Sequence, residues 1–224
     1  MNNQRIALRL LGAYRPRWPT QIHVAARLLT CPIESIFAAL PDRGTLLEVG
    51  CGHGAISLLA AMRKPNLQVL GTDVDTTKLR CAREAASRLN LTDRVDFQAA
   101  DLTDPNLEAV EPAAADSVMC VDVLYLLGRD PAIHALRYIA NSVRLGGVVV
   151  IKEMHDSPWV KASFNHLQET LALHVFGYTS GHVVDVLPPS RITSELRSCG
   201  LEVAEFPADT FRIHPHRLFL GRAR

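Results

Sequence analysis

Three glycines at alternate positions, Gly50, Gly52 and Gly54, separate an apolar run from a helix-period segment in Leu46 to Asp73, LLEVGCGHGAISLLAAMRKPNLQVLGTD. Glycine at such positions lets the backbone turn sharply and leaves no side chain between the loop and a ligand. The helix that follows offers unpaired N–H groups and a positive dipole end to a carboxylate or phosphate. Asp73, which ends the second apolar run, can accept hydrogen bonds from a ribose diol. Glu48 stands just before the loop and Cys51 within it, while Asp101, Asp122, Tyr125, His155, His214 and His216 follow downstream. Together they read as a nucleoside-binding loop with acid–base groups after it.

Two cofactors satisfy that description. Gly50-x-Gly52-x-x-Ala55 fits a dinucleotide fingerprint, whose last position tolerates Ala and whose acid follows after about 20 residues. A nicotinamide enzyme also needs hydride-transfer partners. One single-domain arrangement uses Tyr-x-x-x-Lys, and none of Tyr14, Tyr125, Tyr138 or Tyr178 has Lys four residues on.

Glu48 followed by Gly50-x-Gly52-x-Gly54 instead resembles the first motif of the class I S-adenosylmethionine-dependent methyltransferases. The resemblance extends over residues 44 to 153: VDFQAADL at 95–102 is similar to the third motif, DSVMCVDVLYLL at 116–127 to the fourth strand and its turn, and Gly146-Gly147-VVVIKE to the fifth strand. It implies a doubly wound, mostly parallel seven-stranded α/β sheet of Rossmann-like type. It also implies that Glu48, Gly50, Cys51, Gly52, Gly54, Asp73, Val74, Asp101, Leu102 and Val121 line S-adenosyl-L-methionine, with Asp73 on the ribose and Asp101 at the adenine amino group. An NAD(P)-dependent oxidoreductase of Rossmann type, a methyltransferase acting on nucleic acid or lipid, and a nucleotide-binding module without chemistry are the competing readings, because fold alone does not fix function.

The elements that must position these residues follow from periodicity. Before the loop, Ala7, Leu10, Leu11 and Tyr14 share one helix face. Thr20 is the expected N-cap of a second helix with Ile22, Ala25, Ala26 and Leu29 inward. Pro32 opens a third helix with Ile33, Ile36, Phe37 and Leu40 inward. From Leu46 strands and helices alternate: a helix at 76–89, strands at 95–97 and 118–121, a helix at 132–143, and a buried strand at 148–151. Such alternation predicts ligands at the carboxyl ends of the strands. An amphipathic stretch at 157–176, a GYTSGH turn, a helix at 189–199 and two closing antiparallel strands, LEVAEF and HRLFLG, complete the chain. The expected organisation is one domain: a helical cap at 1–41, the core at 44–153, and an acceptor-side insertion with the closing strands at 154–224.

A length of 224 residues, 48% of them hydrophobic and 21% charged, suits one globular domain with a full core. No apolar run approaches the roughly 18 residues of a membrane span, and the N-terminus lacks the apolar core of a secretory signal. Five scattered cysteines without a CxxC pair argue for a reducing, cytoplasmic compartment and against a zinc site. Cys51 reads as a small residue filling a tight turn.

The sulfonium cofactor carries its own activated methyl, so catalysis is mainly the placing of a nucleophile in a dry site. An oxygen acceptor must also lose a proton, for which His155 is the expected base, with Asp122 and Tyr125 beside it. Methyltransferases acting on nucleobase or glutamine amino groups carry Pro-Pro after the fourth strand. Asp122-Val123-Leu124-Tyr125 lacks it and is more similar to the small-molecule branch. That implies an apolar or polyketide-like acceptor in a biosynthetic reaction, in a pocket drawing on Tyr14, Trp18, Trp159, Phe164 and Phe176. Residues 1–30 hold five arginines and no acid, and 212–224 hold four arginines and no acid. These basic ends suit an anionic group on the acceptor, such as an acyl carrier protein's phosphopantetheine or a lipid phosphate. Nucleic acid is disfavoured by the near-zero net charge of +1 and the lack of a basic, aromatic-interleaved stripe. A homodimer is compatible with the chain.

Overall fold

A computed structural model describes residues 3–104, 106–107, 115–154, 187–208 and 216–224. Three helices come first: α1 (Asn3–Ala13), α2 (Trp18–Thr30) and α3 (Ile33–Ala39). The alternating core follows: β1 (Arg43–Val49), α4 (Ala55–Arg63), β2 (Asn66–Asp73), α5 (Thr76–Leu89), β3 (Val95–Ala99), β4 (Ala115–Val121), α6 (Arg129–Asn141) and β5 (Val143–Met154). The chain closes with α7 (Pro189–Ser198), β6 (Leu201–Pro207) and β7 (His216–Ala223).

The seven strands lie in the order β3-β2-β1-β4-β5-β7-β6, and only β7 runs antiparallel to its neighbours. The chain steps outward from β1 to β3, then returns to β4 on the other side of β1. That reversal opens a crevice at the carboxyl ends of β1 and β4, where doubly wound sheets bind ligands. β1 and β4 end on LLEV and VMCV, whose residues are at most 3% exposed. Such continuous apolar burial on both faces belongs to a parallel sheet covered by helices on each side. One core cluster packs α1, α3, α4 and α5 on one face, and a second packs α6 and α7 on the other.

The expected seven-stranded sheet, the closing antiparallel pair and the three leading helices are all present. α2 differs in two respects. It begins at Trp18 with Arg17 at the cap position, so Thr20, the expected N-cap, lies inside the first turn, and Pro19 stands where proline's fixed φ suits a helix start. Its buried residue is Val24; Ile22 and Leu29 are 61% and 68% exposed. Polar anchors set its rotation: Gln21 donates to the Leu11 carbonyl at 2.9 Å, and Arg27 reaches the end of β4. On α1 the buried side is Ile6, Leu10 and Ala13, with Tyr14 just beyond, so Ala7 and Leu11 lie at its margin. The expected helix at 157–176 and the GYTSGH turn lie outside the described residues.

Candidate functional site

The glycine loop is held from three directions. The amides of Gly50 and Cys51 both donate to the Thr72 carbonyl at 2.8 Å, which ties the end of β1 to the end of β2. Asp73 Oδ2 accepts the Gly52 amide at 2.7 Å, and its Oδ1 accepts the Asp75 amide at 2.9 Å. Asp75 in turn caps α5 by accepting from the amides of Thr77 and Lys78. From the N-terminal side, the buried Tyr14 hydroxyl donates to the His53 carbonyl at 2.8 Å.

The glycines divide by what a side chain would meet. Gly50 has φ +73°, and an added Cβ would stand 2.4 Å from Val123 Cγ2, so the loop packs directly onto the turn after β4. Gly54 likewise faces Phe97 and Ala82. At Gly52, with φ +55°, an added Cβ would meet nothing within 4 Å. The loop therefore presents bare backbone to open space at that one residue, with the Asp73 carboxylate 2.7 Å behind it. Each oxygen of Asp73 keeps a lone pair for a further donor.

Glu48 lies beneath the loop. It is 2% exposed and accepts from the Ser57 hydroxyl and the Ser57 backbone amide, which satisfies a donor in the first turn of α4. Burial pushes its carboxyl up to about 7, against the opposing pull of Ser57 and Arg27. Cys51 is 8% exposed, and burial beside Glu48 and Asp73 raises its thiol well above the ordinary range. It packs as a neutral small residue.

Asp101 follows β3, whose last residue, Ala99, pairs with Asp73, and the Ala100 amide donates to the Asp73 carbonyl at 3.1 Å. The two acids thus follow adjacent sheet tips. Asp101 is exposed and accepts from the Thr103 amide at 2.8 Å and hydroxyl at 2.7 Å, which hold it below the usual carboxylate range. Of the apolar residues expected here, Leu102 and Val121 are buried and Val74 is 58% exposed at the tip of β2.

Past β4 a charged cluster bridges three elements. Asp122, at φ +57°, accepts from Lys152 Nζ at 2.5 Å and from Arg27 Nη1 at 3.1 Å, while Arg27 Nη2 donates to the Val121 carbonyl at 2.5 Å. Lys152 is 1% exposed. The neighbouring Glu153 is also buried; one of its oxygens accepts both the Val123 amide at 2.9 Å and the Leu124 amide at 2.8 Å. Burial, reinforced by Asp122, pushes Glu153 up to about 7. Tyr125 is raised far enough by burial to keep its phenol neutral, a hydrogen-bond donor rather than a base.

Sequence reasoning missed Arg27, Ser57, Lys152 and Glu153. A Lys-Glu pair ending the run VVVIKE was a usable signal, since charges next to a buried strand require partners. Arg27 gave none, because its partner is 95 residues away. Trp18, expected in an acceptor pocket, is 68% exposed on the outer side of α2, and Tyr14 serves the loop. His155, His214, Trp159, Phe164 and Phe176 lie outside the described residues. His216 opens β7 opposite Met154 and is 7% exposed. A cleft of about 530 Å³ between α7 and β6, and another of about 300 Å³ at the opposite ends of β1, β2 and β3, are remote from this chemistry. Among the described residues no group of His, Cys, Asp and Glu is arranged to hold a metal.

Residues 46–147 match the family model of a methyltransferase domain. The release factor glutamine methyltransferase of Rhodopirellula baltica is 34% identical over 96 residues, which are 42% of this chain and 31% of that protein. A probable fatty acid methyltransferase of Pseudomonas putida is 30% identical over 181 residues, 75% of this chain and 40% of that protein. The chain thus spans well under half the length of these two curated relatives. Among solved structures, an O-methyltransferase family protein from Burkholderia thailandensis superposes with TM-score 0.64 at 25% identity, over 91% of this chain and 56% of that one. Geranyl diphosphate C-methyltransferase from Streptomyces coelicolor A3(2), in complex with Mg2+, geranyl diphosphate and S-adenosyl-L-homocysteine, shares the fold with TM-score 0.65 at 13% identity, over 86% and 76% of the two chains.

Proposed function

We propose that this chain, whose residues 46–147 match a methyltransferase domain, works as a class I S-adenosylmethionine-dependent methyltransferase and methylates an oxygen of a small apolar acceptor. The observation that supports this reading best is the bare Gly52 backbone braced by Asp73, beside the tip that leads to Asp101. In this reading Gly52 gives the cofactor a surface without side chains, Asp73 accepts from its ribose and Asp101 from its adenine amino group. S-adenosylmethionine supplies a methyl already activated on a sulfonium centre.

What remains for the protein is placement, exclusion of water and removal of a proton. Asp122 has both carboxylate oxygens engaged by cations, so its role is to hold α2, β4 and β5 together rather than to take a proton. Tyr125 donates to the acceptor or orients it. His155, which follows directly on β5, is the proposed base.

Oxygen is favoured over an amide or nucleobase nitrogen because the turn Asp122-Val123-Leu124-Tyr125 lacks the two prolines of that branch. The superposition on a protein of an O-methyltransferase family points the same way. We place the reaction in the cytoplasm. The test is transfer of isotopic methyl from S-adenosylmethionine to hydroxylated aromatic and acyl acceptors, free or as carrier-protein thioesters, with a glutamine peptide and transfer RNA in parallel. Label in the oxygen acceptors supports the proposal; label only in peptide or RNA refutes the choice of acceptor.

A further inference from the structure

The outer side of α2 is apolar and uncovered among the described residues. Trp18, Ile22, Ala25 and Leu29 recur at i, i+4, i+7 and i+11, a single stripe along the helix. Trp18, Ile22 and Leu29 are 68%, 61% and 68% exposed, and Leu8 on α1 is 69% exposed. This helix is not loosely attached. Val24 is fully buried on its inner side, Gln21 holds Leu11, and Arg27 is anchored to Asp122 and Val121. Stripe and anchor thus sit on opposite sides of one rigid element.

The charge carried by the leading segment itself has one sign. Residues 1–30 contain five arginines and no acid. Arg17 and Arg27 bridge to Glu84 and Asp122, and Arg9 donates to the Leu89 carbonyl. Arg5 and Arg15 are exposed and have no acidic partner among the described residues. The next acid in the chain, Glu34, is engaged by Arg63 at 2.7 and 2.8 Å.

We propose that α2 docks on an anionic lipid surface, with Trp18, Ile22 and Leu29 entering the boundary between headgroups and acyl chains and Arg5 and Arg15 facing headgroup phosphates. An apolar stripe with a terminal tryptophan and surrounding cations is the pattern of a helix that lies in a membrane interface. No single described helix is long and apolar enough to span a membrane. α2 and α3 together pass by composition, but they meet at 71° and α3 buries Ile33, Ile36 and Phe37 in the core, so α2 lies on the surface. A second copy is disfavoured as occupant, because it would bring together two leading segments that each carry five arginines and no acid of their own. The location has a consequence: Arg27 touches the end of β4, and the His23 and His53 rings are 5.2 Å apart, so docking would set the glycine loop beside the lipid phase. A lipid-dissolved acceptor could then reach the site directly.

Vesicle binding tests this without cofactor or acceptor, so its outcome is independent of the methyltransferase reading. The whole chain, with Trp159→Phe so that Trp18 is the single tryptophan, is floated with phosphatidylcholine vesicles with and without phosphatidylglycerol, at low and high salt. The expected result is binding to the anionic vesicles with a blue shift of Trp18 emission. Ile22→Asn/Leu29→Asn should lower the partition coefficient about tenfold or more with an unchanged melting temperature, and Arg5→Gln/Arg15→Gln should flatten the salt dependence. No binding at any composition, equal binding to neutral vesicles, or binding indifferent to both double variants overturns the proposal. A dimer that the Ile22→Asn/Leu29→Asn change dissolves, with no vesicle binding, overturns it in favour of self-association.

Discussion

Replacing Asp122 with Asn isolates the charge that holds the cluster together. Asn keeps the volume and tolerates the left-handed backbone at φ +57°, so the turn itself is little disturbed. What is lost is the counter-charge of Lys152, whose side chain is 2% exposed and 2.5 Å from the carboxylate. An unpaired buried ammonium costs on the order of 3–5 kcal/mol. The lower end applies here, because Glu153 is held protonated partly by Asp122 and ionises more readily once that charge is gone. Arg27 contributes less, since its side chain is 26% exposed and regains water. Urea unfolding at constant pH should therefore show a lower midpoint at unchanged slope, equivalent to about 3 kcal/mol. Adding Lys152→Met should restore at least half of that, because the double variant buries no orphan charge. A loss under about 1 kcal/mol for Asp122→Asn, or no recovery in the double variant, would refute the strut assignment.

The two loop glycines should separate stability from binding. Gly50→Ala forces a methyl onto Val123 at positive φ and should destabilise by about 2–4 kcal/mol, read by thermal or urea unfolding. Gly52→Ala carries only the backbone strain of about 1–2 kcal/mol but should weaken S-adenosylmethionine about tenfold or more by titration calorimetry, since its methyl projects into open space. Glu48 and Glu153 both lie near 7 in the folded protein against 4.5 as the reference value. The native state thus holds protons that the unfolded chain has released, and stability should fall as pH rises from about 4.5 to 7, then level off. Each group contributes on the order of 3 kcal/mol across that window, and Glu48→Gln should remove roughly half of the decline. Glu34, Asp75 and Asp116, which are depressed, act with the opposite sign at lower pH. A stability that climbs steadily from pH 5 to 7 would contradict the buried-carboxylate assignment.

The parallel core was legible because its signals are local. Apolar runs alternate with helix-period segments, and three closely spaced glycines mark the loop after β1, where each takes positive φ, so β1, α4, β2 and the loop could be read within thirty residues. Asp73 was legible for the same reason, as an acid one strand away at a fixed spacing. The rotation of α2 was not. Its apolar stripe, Ile22, Ala25 and Leu29, is a stronger local pattern than Gln21, Val24 and Leu28, yet the buried side was decided by Arg27 reaching Asp122 across 95 residues of chain. The strut at Asp122 was hidden likewise: the sequence shows a carboxylate after a strand but not the two cations, one from a leading helix and one from β5, that occupy it. Glu48 was recognised as part of the loop motif, while its partner Ser57 lies on the following helix and carries no distinctive spacing.

If Gly52 and Asp73 together form one wall of a cofactor site, calorimetric titration of the purified chain will register it. Saturable one-to-one binding of S-adenosylmethionine and S-adenosylhomocysteine is expected, with no heat from NAD or NADP. Asp73→Ala should weaken that binding by about 1.5–3 kcal/mol, the value of a hydrogen bond to a charged acceptor. Uptake of a nicotinamide dinucleotide in place of the sulfonium cofactor, or an affinity unmoved by Asp73→Ala, would contradict it.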